Sequence, residues 1–220
     1  MKFKKKFTAF VRRLGNGQFL SAAYLSYYYL YLSLYDHVHR TSFSHSESAS
    51  ESGVPVGGTG NFPAHPRLVK KYLCASGLKV NDNILDVGHG SGVVLHVAAK
   101  MGFINLSGIE YSDATYEVSK NNVGMHAKLM HGNAIDLDLA PYDGIFFFNP
   151  FRGELAKQFF ENVVASSTRT ILTVNHDSAI EPILYPHYRL VYSFQHFLYR
   201  NFNCKIWVKG LRHGASYSEK

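Results

Sequence analysis

The sequence predicts an α/β fold: a doubly wound, mostly parallel seven-stranded sheet with a C-terminal antiparallel strand, preceded by an N-terminal helical extension. Three observations lead there. Residues 84 to 92 read ILDVGHGSG, an apolar run followed by three alternating glycines. Glu110 closes the next apolar run, 24 residues after Asp86, about one strand-helix-strand unit later. Further short apolar runs follow at similar intervals.

The first element is the strand built on Ile84, Leu85 and Val87, whose continuous apolar character suits a central parallel strand. Gly88, Gly90 and Gly92 come where the chain must bend sharply and let a ligand touch backbone. A helix is expected over residues 93 to 100, with Gly102 as its stop signal. A dinucleotide cradle shares this strand, turn and helix, but its G-x-G-x-x-G/A spacing requires a small residue where Val93 stands. Asp86, just ahead of the first glycine, would also repel a pyrophosphate, whereas a ligand carrying an amino group and a sulfonium would be attracted.

The segment D-x-G-x-G-x-G therefore resembles motif I of the class I S-adenosylmethionine-dependent methyltransferases. The resemblance implies S-adenosylmethionine as cofactor, cradled by Asp86, Gly88, His89, Gly90 and Gly92. Glu110 would hold the ribose hydroxyls, Tyr111 would cover the adenine face, and Asn133 with Ala134 would lie beside the adenine amino group. The strand at residues 142 to 151, YDGIFFFNPF, ends in Asn149-Pro150-Phe151. That ending is similar to a shortened N-P-P-F or N-P-P-Y signature of methyltransferases acting on planar amino nitrogens. In such a site Asn149 and the Pro150 carbonyl would orient the nitrogen and Phe151 would close one wall, with Asn149 also near the cofactor. One proline is missing, and non-SET lysine methyltransferases also end this strand in Asn followed by aromatic residues, so a lysine amine is a comparable acceptor. The overall resemblance is to small bacterial class I methyltransferases with an F-x-N-P-F motif and undefined substrate, over roughly residues 60 to 210.

The remaining elements complete the sheet: an amphipathic stretch at 153 to 166, and strands at 169 to 175, 188 to 194 and 204 to 208. A helix beginning at Pro66 runs to Ala75. Three units are read: a basic, Tyr-rich extension (1–40), a flexible Ser/Gly-rich linker (41–58) and the catalytic domain (59–220). Thr59, Asn61 and Phe62 resemble the loop that closes over cofactor in related enzymes.

Composition narrows the function classes. The chain of 220 residues is 46% hydrophobic, enough for one such core. Its two cysteines fit no metal or redox spacing, and none of its twelve histidines falls in a metal-ligand pattern, so no metal site is expected. Residues 1 to 40 hold seven of the 23 basic side chains and one of the 16 acids. Sixteen bases and fifteen acids remain elsewhere, so the catalytic domain lacks the broad basic face that nucleic acid demands. The expected reaction is methyl transfer to a nitrogen of a protein or other amino-bearing acceptor, with protein amines, small molecules or glycans favoured over nucleic acid. The alternatives are O-methylation of a sugar, glycan or small hydroxyl compound, with His176 or Asp177 as base, and an inactive cofactor-binding module.

The extension reads MKFKKKFTAFVRR, then an uncharged, tyrosine-rich stretch to residue 35. It is short and polar for a membrane span, and it lacks a persuasive cleavage site. An aromatic helix packed on the core or over the cleft is the favoured reading. An interfacial helix meeting anionic membrane or a charged polymer through residues 1 to 35 is the other. The expected location is cytoplasmic, with membrane association through that segment as the alternative that the interfacial reading carries.

Overall fold

The computed structural model describes residues 19–50 and 53–210. The basic start of the extension lies outside the described residues. In chain order the elements are α1 (Phe19–His39), α2 (Pro66–Ala75), β1 (Ile84–Val87), α3 (Val93–Lys100), β2 (Leu106–Glu110), α4 (Asp113–Val123) and β3 (Lys128–His131). They continue with β4 (Gly144–Phe147), α5 (Glu154–Ala165), β5 (Thr170–Val174), α6 (Glu181–Leu184), β6 (Tyr188–Phe194) and β7 (Cys204–Lys209). The seven strands form one sheet in the order β3-β2-β1-β4-β5-β7-β6. All pairs are parallel except those of β7, which runs antiparallel to both β5 and β6.

Alternation along the central strands divides the core into two layers. Ile84, Phe146, Leu172 and Ile206 point to one face, where Val69, Leu73, Leu95 and Ala98 of the helices cover them. Leu85, Val87, Ile145, Phe147, Ile171 and Trp207 point to the other, against Phe159, Phe160 and Val163 of α5. Because both faces are covered, β1, β4 and β5 read as unbroken apolar runs. The strand order brings the ends of β1, β2 and β4 together, with β1 in register between its neighbours: Asp86 pairs with Gly108 on one side and Phe146 on the other.

Two strands are shorter than their apolar runs suggest. Phe103 is spent on closing α3, its N–H reaching the Ala98 carbonyl, and β2 starts only at Leu106. The run at 142 to 151 pairs only over Gly144–Phe147, since Tyr142 closes a turn on Leu139 and Asn149 turns to φ 45°.

The tyrosine-rich helix α1 packs on the domain. Tyr28 and Leu32 are fully buried, and the Tyr28 hydroxyl donates to the Pro63 carbonyl at 2.5 Å while its ring meets His65 and Phe202. The segment that follows differs from the flexible linker expected of its composition. Asp36 gathers it in: Oδ1 accepts from the Thr41 hydroxyl and the Phe43 N–H, and Oδ2 from the Ser44 N–H, at 2.7–2.8 Å. Phe43 is fully buried against Tyr35 and His96. Further on, Asn61 donates to the His45 carbonyl, and Glu47 accepts from the hydroxyls of Ser112 and Thr115. Serine-rich composition signals weak apolar cohesion, but one anchor ring and several polar bonds are enough to hold the described residues of 41–61, here called the strap, across the sheet edge.

Asp36→Ala leaves two backbone donors without their acceptor and is expected to cost about 2 to 4 kcal/mol. Urea unfolding measures the loss. Hydrogen exchange should rise first in residues 41 to 47, and exchange unchanged there would contradict the anchoring role.

Candidate active site

The site forms where β1, β2 and β4 end. Beyond Val87 the chain turns through Gly88 and His89, whose N–H groups both donate to the Ile109 carbonyl, and α3 begins after Gly92. Gly88 and Gly90 take φ values of 64° and 54°, which favour glycine, and each has a close neighbour. A Cβ on Gly88 would meet the ring of Pro150, and one on Gly90 would meet the Asn61 side chain. The turn, the end of β4 and the strap therefore touch one another directly.

Two carboxylates sit inside this junction. Glu110 is fixed by backbone: Oε2 accepts from the Gly90 N–H at 2.9 Å and Oε1 from the Ser112 N–H at 2.8 Å. Burial pushes its pKa up, opposed by these donors. Asp86 is 2% exposed, and its Oδ2 has no hydrogen-bond partner among the described residues. Burial, and secondarily the charge of Glu110, raise its pKa well above the usual carboxylate range. A buried carboxylate oxygen without a partner is costly, and a cationic ligand would relieve that cost. Both acids line a cavity of about 240 Å³ together with Tyr111, Asn149, Arg152 and Asn61. These residues fit a ligand that carries positive charge and offers hydroxyl donors.

At the β4 end Asn149 is buried, and its Oδ1 accepts from Arg152 Nε at 3.1 Å. Thr59 of the strap takes up the neighbouring carbonyls. Its hydroxyl donates to Asn149 O at 2.7 Å and to Pro150 O at 3.1 Å, while its N–H donates to Pro150 O at 2.9 Å. Gly58 bridges to Phe151, and the Arg152 N–H donates to Gly57 O.

No protein-family model matches the chain. Two methyltransferases share segments with it. EEF1A lysine methyltransferase 2 of Danio rerio is 42% identical over 53 residues, 24% of this chain and 23% of that protein. Ribosomal protein L11 methyltransferase of Dictyoglomus turgidum is 36% identical over 76 residues, 33% of this chain and 24% of that protein. The aligned segments thus span about a quarter of either relative. Among solved structures, an RNA methyltransferase from Salinibacter ruber in complex with S-adenosyl-L-homocysteine superposes with a TM-score of 0.54 at 10% identity. That match covers 71% of this chain and 98% of that one. The chain has the methyltransferase fold.

Within the methyltransferase fold, Asp86, Gly88, His89, Gly90, Glu110, Tyr111, Asn149 and Pro150 all line the cavity, as do Thr59, Asn61 and Phe62. Several expected residues sit otherwise. Gly92 lies outside the cavity lining and instead caps α3, packed against Val123. Asn133 is exposed and caps a short 3-10 turn by accepting from the Ile135 N–H, and Ala134 is buried in the second core layer; neither lines the cavity. Phe151 is no cavity wall: its ring packs edge-on against Phe147 and Phe159, because the strap's pairing with residue 151 turns it into the apolar layer. The Pro150 carbonyl, expected to orient an acceptor nitrogen, is already occupied by Thr59. His89 is buried over Gly108 with its pKa lowered by burial to about 4 and Nδ1 on the Gly90 carbonyl, so at neutral pH its ring is uncharged. His176 pairs with Glu181 and lines a neighbouring cavity that shares only Asn175 with this one.

Sequence reasoning missed Arg152, Asn175 and Asn201 in the lining and Glu47 behind Ser112. Arg152, three residues past Asn149, carried a local signal. Asn201 and Glu47 arrive from distant segments and carried none.

Asp86→Asn tests the buried charge. Because the folded pKa lies above the unfolded value, the native protein loses stability as pH rises from the ordinary carboxylate range through the raised pKa. The amide variant escapes that loss, so its stability relative to the parent should grow with pH across that window, reaching at least about 1 kcal/mol near neutrality. Thermal melts of ligand-free protein at a series of pH values measure it. A difference that is flat with pH would show the carboxylate to be unperturbed.

Proposed function

We propose that the chain is an S-adenosylmethionine-dependent methyltransferase that transfers a methyl group to a nitrogen of a protein or other amino-bearing acceptor. The observation that carries this reading is the buried oxygen of Asp86, without a partner among the described residues, beside the backbone-fixed Glu110 at the carboxyl edge of a methyltransferase-fold sheet. When bound, S-adenosylmethionine would supply a methyl group on a sulfonium. Asp86 would balance positive charge, and Glu110, whose oxygens keep acceptor capacity after the two backbone bonds, would take the ribose hydroxyls. Tyr111 would lie against the base.

The acceptor end favours an amine over a nucleobase. With the Pro150 carbonyl held by Thr59, the backbone acceptor that a planar amino group needs is engaged. Arg152, bonded to Asn149, puts a guanidinium in the lining. A cation there disfavours a second cation and lowers the pKa of an entering amine, which must be unprotonated to act as nucleophile. The names of both partial relatives specify protein acceptors, and this supports a protein amine. Positioning dominates such displacements, and correct placement is worth about 7 to 11 kcal/mol. Asn149 at positive φ, clamped by Thr59 and Arg152, is the residue best suited to provide it.

S-adenosylhomocysteine at about 100 times its dissociation constant should stabilise the protein by about 2.7 kcal/mol. No shift of the melting temperature with either form of the cofactor would overturn the reading. Asn149→Ala should lower turnover about a hundredfold while cofactor affinity stays nearly constant. Equal losses in both would make Asn149 a cofactor ligand. Incubating cell extract with isotope-labelled donor and reading the label by mass spectrometry tests the acceptor: label in protein is expected, and label confined to nucleic acid or glycan would refute it.

A further inference from the structure

The outward face of α1 has no charge on it. Leu20, Leu30, Leu34 and Val38 are 59–72% exposed, and with Tyr27 they form a stripe at helical spacing, roughly 27 Å long. The only ionised side chain between residues 19 and 36 is Asp36, which is buried on the opposite side and spent on the strap. Contiguous exposed apolar surface of this kind marks an interaction site. No described helix is long and apolar enough to cross a membrane, so the stripe is suited to lying on a surface.

Its surroundings are basic. Arg67 of α2 stacks over Tyr31 at 5.1 Å, with exposed Lys70 one turn further on. Lys100 of α3 reaches His39 at 3.0 Å, and Arg40 follows the helix end. Ahead of α1 the sequence holds Lys2, Lys4, Lys5, Lys6, Arg12 and Arg13 and no acid. We propose that this face of α1 docks on an anionic lipid bilayer, with the apolar stripe at the headgroup boundary and the basic rim on the lipid charges. A second copy of the chain, or its own first residues, would set like charge beside like charge. An anionic surface satisfies the rim and the stripe together.

The test is co-sedimentation of the full chain with vesicles of phosphatidylcholine and phosphatidylglycerol at roughly 2:1, against phosphatidylcholine alone. Binding to the anionic vesicles that weakens with salt is expected. The double variant Leu30→Glu, Leu34→Glu should lower the partition coefficient about tenfold or more, with an unchanged melting temperature in the absence of lipid. No binding of the parent chain to anionic vesicles, or binding untouched by the double variant, would overturn the proposal. So would a variant that melts lower without lipid, which would mean the chain itself covers the face, or one that turns a dimer into a monomer in light scattering. Vesicle binding is read without cofactor, so it stands or falls independently of methyl transfer.

Discussion

Two carboxylates held out of water at the ends of adjacent strands are the constraint on which this structure turns. Glu110 is tolerated because backbone N–H groups from two different segments meet its oxygens. Among the described residues nothing compensates Asp86 Oδ2 in this way, and burial disfavours its charge. The cost is borne by the sheet around them, whose central strands are covered on both faces. Perturbed buried acids of this kind cluster at functional sites more than in stable cores.

The glycine turn makes that arrangement compact. Pro150 fills the space beside Gly88 and Asn61 the space beside Gly90, so the ends of β1 and β4 and the strap form one contact. Thr59 then ties the strap to the carbonyls of Asn149 and Pro150, which fixes the site's geometry and removes a backbone acceptor from it. The strap is held in turn by Asp36 at the end of α1. The N-terminal helix is thus joined to the active cavity through a continuous series of hydrogen bonds and buried rings.

Much of this was legible in the residues. Helix bounds at Pro66–Ala75 and Val93–Lys100 and the strand Tyr188–Phe194 follow from proline, glycine and apolar spacing, which are local signals. Asp86, the glycine turn and Glu110 are linked through a single β-α-β unit, and their meeting follows from that unit's geometry. Where local reasoning failed, a partner distant in sequence had decided the outcome. Phe151 turned inward because Gly58 pairs with it, and the Pro150 carbonyl was taken up by Thr59.

The sequence by itself determined the sheet, its order of elements and the acids at its edge, because periodicity and glycine placement act over a few residues. Only the tertiary structure decided that a serine-rich segment straps the site, that Asn201 enters the cavity, and that Glu47 stands behind Ser112. Those outcomes rest on pairings between segments tens of residues apart, where hydrogen-bond satisfaction and burial are settled jointly and no local pattern encodes them.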